Sequence, residues 1–196
     1  MLRCFTLPCC CIALIACSER SFAQTESPHP SALELALSND TLQIRYNGAG
    51  ETVGADSARL NGAFFLSEDR DIVLSAGLLF QSGLDLGRLQ IVVGPQIYAA
   101  LLDEENSDVM SVTLGTEIRF RLTRQFAVSG QAFYGPDILT FGSADNLTDL
   151  SARLEFAAAD RIEVFAGMRW FEFDLTEGEG EKTLMEEVFV GIGYRF

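Results

Sequence analysis

From residue 32 to the C-terminus, apolar and polar side chains alternate singly through run after run, with turn residues between the runs. A period of two marks strands with one face in an apolar medium and the other in a polar one. In 109–122, Val112, Leu114, Ile118, Phe120 and Leu122 form one row, and Thr113, Gly115, Glu117, Arg119 and Arg121 the other. In 147–158, Leu150, Ala152, Leu154 and Phe156 alternate with Asp149, Ser151, Arg153 and Glu155. In 161–174, Ile162, Val164, Ala166, Met168 and Trp170 oppose Glu163, Phe165, Gly167, Arg169 and Phe171. The chain closes on Val188, Val190, Ile192, Tyr194 and Phe196 against Phe189, Gly191, Gly193 and Arg195.

The runs are 33–37, 42–47, 57–67, 71–81, 88–102, 109–122, 125–135, 147–158, 161–174 and 185–196. Several have the roughly 9–11 residues that cross a bilayer as a tilted strand. Leu33, Leu35 and Leu37 are odd, whereas Leu42, Ile44 and Tyr46 are even. Ser38-Asn39-Asp40-Thr41 therefore reads as a hairpin loop that pairs Leu37 with Leu42 and Leu35 with Ile44. That makes about ten strands; the first arms are short, so eight is the alternative. An even count puts both termini on one side, the periplasmic side in an outer-membrane barrel.

Alternation does not say which row faces inward, and the N-terminus bears on that. Arg3 and the apolar run from Phe5 to Ala16 read as a secretory signal. Ser21-Phe22-Ala23 before Gln24 fits ordinary cleavage, while Leu14-Ile15-Ala16-Cys17 fits a lipoprotein signal with Cys17 as the lipidated residue. All five cysteines lie in the first seventeen residues, so cleavage after Ala23 leaves a chain without a thiol. The organisation expected is a signal peptide at 1–23, a flexible linker at 24–31 and a barrel at 32–196. For an exported chain, Val188, Val190, Ile192, Tyr194 and Phe196 form the terminal row that addresses a barrel to the outer-membrane assembly machinery. The fold expected is a transmembrane antiparallel up-and-down β-barrel, apolar rows towards lipid and charged rows towards the lumen. The alternative is a secreted or lipid-anchored soluble β-barrel with the same rows turned inward around an apolar ligand.

The formal charge of −14 becomes one unit more negative when Arg3, Glu19 and Arg20 leave with the signal. So acidic a chain has no basic face for nucleic acid. Acids crowd the connections assigned to the outer side, among them Asp71 and Asp149, with Arg70 and Lys182 as the only cations there. Asp103, Glu104 and Glu105, with Glu177, Glu179 and Glu181, are weak candidates for Ca²⁺ or Mg²⁺; neither group makes a defined calcium loop, so no metal or cofactor is expected.

The only histidine, His29, sits between two prolines in the linker, and Lys182 is the sole lysine. A hydrolase built on a histidine or lysine base is therefore disfavoured, and no enzyme is expected. Glu117, Arg119, Arg121, Arg153, Glu155, Glu163 and Arg169 form a lumen charge set. It reads either as a narrow polar path or small-ligand pocket, or as a plug, and the plug is favoured because side chains largely fill barrels of about this size. Arg169 is expected to pair with Glu155 or Glu163, since an uncompensated guanidinium inside is costly. Trp170, Tyr98, Tyr134, Tyr194 and Phe196 suit an interfacial aromatic belt.

Gly94-Pro95-Gln96-Ile97-Tyr98-Ala99-Ala100, Tyr134-Gly135-Pro136-Asp137-Ile138-Leu139, Gly167-Met168-Arg169 and the closing Val190–Phe196 segment resemble the YfaZ family of outer-membrane proteins. The resemblance runs over about 32–196 and implies a small outer-membrane barrel; it supplies no catalytic residues. The function expected is a monomeric, non-enzymatic barrel with a structural role or a minor role in small-solute passage or binding. Its partners would be outer-membrane lipid and lipopolysaccharide.

Overall fold

The alternating rows form the strands they predict. A computed structural model describes residues 31–49, 58–68, 70–81, 87–102, 107–175 and 181–196. The signal at 1–23, Cys17, all but the last residue of the linker, and the acidic candidates Asp103, Glu104, Glu105, Glu177 and Glu179 lie outside these, as does the side chain of Glu181. The strands are β1 (Ala32–Leu37), β2 (Thr41–Ala49), β3 (Ala58–Ser67), β4 (Ile72–Gln81), β5 (Leu89–Leu102), β6 (Ser107–Arg121), β7 (Phe126–Gly135), β8 (Thr140–Gly142), β9 (Ala144–Ala157), β10 (Ile162–Leu175) and β11 (Glu181–Arg195).

Ten of them close into one antiparallel ring in chain order, with β8 as a short inset. β1 pairs with β11, so the ring has no free edge where the chain ends meet. The expected hairpin is present, with Leu35 opposite Ile44 and Leu37 opposite Leu42. The Phe196 amide donates to the Ser31 carbonyl at 2.8 Å and continues the closing seam.

Strand direction gives the barrel two ends. The base carries Ser31, Phe196 and the turns at 122–125 and 158–161; the rim is the end at which β1, β3, β5 and β10 finish. Short turns are not confined to the base, because β1 and β2 meet at the rim through Ser38–Asp40 while residues 50–57 link β2 to β3 at the base.

The expected outer loop at 136–149 is largely wall. Where β7 leaves β6, Pro136 leads into a single 3-10 turn at Asp137–Leu139, and β8 resumes pairing with β6 at Val109–Ser111. Thr140 anchors the turn, accepting or donating to Ser111 at 2.9 Å and donating to the Pro136 carbonyl at 3.1 Å. Gly142 follows at φ +101°, with its α-carbon pressed toward the Asp108 carbonyl, a position no side chain could share.

The row polarity is that of a membrane barrel. Leu33, Leu35, Leu74, Ile97, Leu114, Leu154, Val190 and Ile192 are exposed, while Glu34, Gln96, Gln131, Asp149, Glu155 and Arg169 are buried. Every residue of the terminal row faces outward. Tyr46, Phe120, Phe126, Tyr194 and Phe196 gird the base, and Tyr134 and Phe141 the rim. Trp170 shares that outward row near the rim, half-buried. Tyr98 does not: on β5 it belongs to the even, inward row and is buried. A soluble barrel around an apolar ligand needs the opposite polarity.

Leu154→Arg tests this orientation. A cation on the lipid face near mid-bilayer costs about 2–4 kcal/mol, whereas an exposed leucine in a water-soluble barrel would change stability by about 0.5 kcal/mol at most. Denaturant unfolding of the protein in lipid vesicles is expected to show the larger loss.

Candidate functional site: the ionic lumen

The inward rows place charge and apolar bulk at different heights. Arg45 on β2, Arg59 on β3, Glu117 and Arg119 on β6, Arg153 and Glu155 on β9, Glu163 on β10 and Arg195 on β11 all lie toward the base. Phe65, Val73, Tyr98, Leu102, Val109, Leu147, Phe171 and Phe173 make one buried cluster toward the rim. Arg169 and Asp149 stand between the two.

Asp149 is fully buried and accepts from three side chains. Arg169 donates to both of its oxygens, Nε to Oδ1 at 3.0 Å and Nη2 to Oδ2 at 2.6 Å. Tyr98 donates its hydroxyl to Oδ2 at 2.6 Å, and Gln131 its amide at 3.2 Å. The guanidinium also lies over two rings, 4.1 Å from the centroid of Phe65 and 5.3 Å from that of Phe171. The expectation that Arg169 pairs with Glu155 or Glu163 is thus corrected. Residue 149 lies two places from the Cα partner of Arg169, Ser151, on the same inward row, whereas Glu155 and Glu163 sit lower in the barrel. Asp149 is an interior residue and not an outer-loop acid, and Asp71 is buried as well.

Below this layer runs a chain of shared ions. Arg153 donates to Glu34 at 2.6 Å and to Glu155 at 2.8 Å. Arg119 donates to Glu155 at 2.6 Å and to Glu163 at 2.8 Å, and Arg195 reaches Glu163 at 3.3 Å. Arg59 pairs with Glu117, which also accepts from Asn61 at 3.1 Å. Six of the seven residues in the expected lumen set therefore belong to these networks. Arg121 is the exception: it is exposed at the base, at the mouth of the lumen.

The members that sequence reasoning missed, Glu34, Arg45, Arg59, Asn61, Tyr98, Gln131, Asp149 and Arg195, were all legible as the partner rows of apolar ones. Arg45, for example, alternates with Ile44 and Tyr46.

Two spaces frame the arrangement. A chamber of about 730 Å³ reaches from the Arg45–Arg153 level down to the base turns at Thr123–Gln125 and Ala158–Asp160. Above it, the space between Arg45, Arg153, Phe165 and Arg169 holds about 10 Å³, the room of one water. The buried apolar cluster occupies the rim half of the lumen, and the chamber lies in the base half.

A family model described as YfaZ precursor matches residues 14–196. The chain belongs to the YfaZ family. No curated protein matches the sequence. Among solved structures, the YfaZ chain is similar to the outer membrane protease OmpT from Escherichia coli, with a TM-score of 0.53 and 6% identity over 87% of this chain and 98% of that one. It is also similar to the KdgM porin, TM-score 0.48 and 7% identity over 85% and 98%. A bacterial polysaccharide outer membrane secretin gives TM-score 0.47 and 14% identity over 84% of this chain, which spans 57% of that protein. At such identities the OmpT likeness shows the fold alone: a closed β-barrel of the outer-membrane type.

Breaking the central pair should be costly in a way that replacing it is not. Asp149→Leu or Arg169→Met alone leaves a buried charge and is expected to cost about 3–5 kcal/mol, while the double replacement recovers most of the loss. Denaturant unfolding of the three variants measures this directly.

Proposed function

We propose that this YfaZ chain is a monomeric, non-enzymatic barrel of the cell outer membrane, closed to free diffusion and able to hold a small solute at its base. The observation that carries the reading is the filled rim half. Arg169, Asp149 and Tyr98 lock together beneath Phe65, Phe171 and Phe173, and a water-sized space separates the lock from the chamber below. In this reading the terminal row ending at Phe196 meets the assembly machinery, the outward rows meet lipid, and the rim lies among lipopolysaccharide.

Chemistry is disfavoured by how the interior acids are held. Glu155 and Glu163 share the Arg119 guanidinium, and Glu155 takes a further bond from Ser129 at 2.5 Å. Carboxylates bonded in this way are not free to approach a substrate, and the sequence supplies no lumen histidine to act as base.

Planar-bilayer recording tests the closure. Wild-type protein is expected to give no steady current, and Arg169→Ala combined with Phe171→Ala to give discrete openings. Stable wild-type steps of nanosiemens size would end the closed reading.

A further inference from the structure

We infer that the basal chamber is a binding site for a hydrophilic small-molecule oxyanion, carboxylate or phosphate, with Arg45 as its anchor. The inference deepens the solute-holding part of the function proposed above and rests on it.

The charge of the chamber runs against that of the chain. The sequence carries 28 acids against 14 cations. Yet among the described residues seven arginines and five carboxylates line the chamber, so half of all the cations in the chain converge on this one space. Its volume, about 730 Å³, lies within the usual range for small-molecule sites.

The surplus can be traced to named groups. Among the described residues, each buried glutamate of the wall already has a guanidinium: Glu34 has Arg153, Glu117 has Arg59, Glu155 has Arg119 and Arg153, and Glu163 has Arg119 and Arg195. Among the described residues, no carboxylate is bonded to Arg45. It donates to the Gln131 amide oxygen at 2.9 Å and, from Nη2 and Nε, to the Gln43 amide oxygen at 3.1 and 3.2 Å. The strongest charge acting on it is Glu34, which is itself bonded to Arg153; Arg153, Arg169, Asp149 and Arg59 also lie within electrostatic reach.

A guanidinium fork matches a carboxylate or phosphate geometrically as well as electrically. The rest of the lining favours a hydroxylated occupant over an apolar one, with Asn47, Gln90, Ser129, Gln131 and Ser151 facing the space. Arg121 and Arg124, exposed at the mouth, extend the surplus of arginines to the point of entry.

The test uses the full chain folded in zwitterionic nanodiscs, with folding checked by heat-modifiable gel migration and binding read by calorimetry. Glucuronate and glucose 6-phosphate are the anionic probes and glucose the neutral one. Both anions are expected to bind, more weakly as salt rises, and glucose is not. Arg45→Gln keeps the amide contacts and removes the charge; it is expected to weaken anion binding roughly tenfold or more, and Arg45→Lys to restore part of it. Arg124→Glu, on an exposed turn, leaves folding intact and is expected to weaken binding too. A folded wild type that takes neither anion, or takes glucose as well as glucuronate, overturns the inference. So does loss of glucuronate binding when phosphatidylglycerol enters the disc, which would make a lipid headgroup the occupant. Steady wild-type current with anion binding intact sinks only the closure; a silent barrel without anion binding sinks only this site.

Discussion

A buried guanidinium and a buried carboxylate, Arg169 and Asp149, face each other across β10 and β9, and the interior is arranged around them. Each needs the other, because either alone would be an unpaired charge in a low-dielectric centre. Both are over-determined: Asp149 by Tyr98 and Gln131, Arg169 by the rings of Phe65 and Phe171. That support is what sets an ionic bond at the height where the lumen changes from charged to aromatic. Above it Phe171, Phe173 and Leu147 can pack against one another as in an ordinary core. Below it, a wide barrel lined by long charged side chains cannot collapse, and the chamber remains.

The same strand geometry explains why the lower ions form chains and not isolated pairs. Inward residues recur every second position, so Arg153 and Glu155 are neighbours on one strand and bond through Arg153 Nε. Neighbouring strands then bring in Glu34, Arg119 and Glu163, and each arginine with several donors bridges two acids. Sharing of this kind offsets desolvation, because Glu155 and Glu163 each accept from two cations and Arg119 and Arg153 each donate to two acids.

Much of this was readable before any coordinates, and the reason is physical. A barrel in lipid must put its apolar rows outside, so alternation in 109–122, 147–158 and 161–174 predicted both strands and facing, and the parity of Leu37 and Leu42 predicted the first hairpin. The errors have one source. Asp149 was read both in its row, with Ser151 and Arg153, and as an acid of an outer connection, and only the row reading holds; Asp71 was read by its place in a connection alone. Tyr98 was read by residue type as a belt aromatic, although Gln96, Tyr98 and Ala100 form the polar-and-small row of β5. The pairing of Arg169 was beyond the pattern altogether. Which acid meets it depends on the stagger between β9 and β10, and stagger is a property of the closed ring that no single strand encodes.

Gln131 shows how the two halves of the lumen meet. Its amide oxygen accepts from Arg45 and its amide nitrogen donates to Asp149, so one neutral side chain faces a cation on one side and an anion on the other. Glutamate there would set a second negative charge against Asp149; a leucine would strand both partners. Only an amide has the donor and the acceptor that the position requires. Because Gln131 carries no charge, it satisfies Arg45 without neutralising it, and it leaves the carboxylate of Asp149 to Arg169. The lock at mid-barrel and the excess positive charge of the chamber below it therefore follow from a single residue choice on β7.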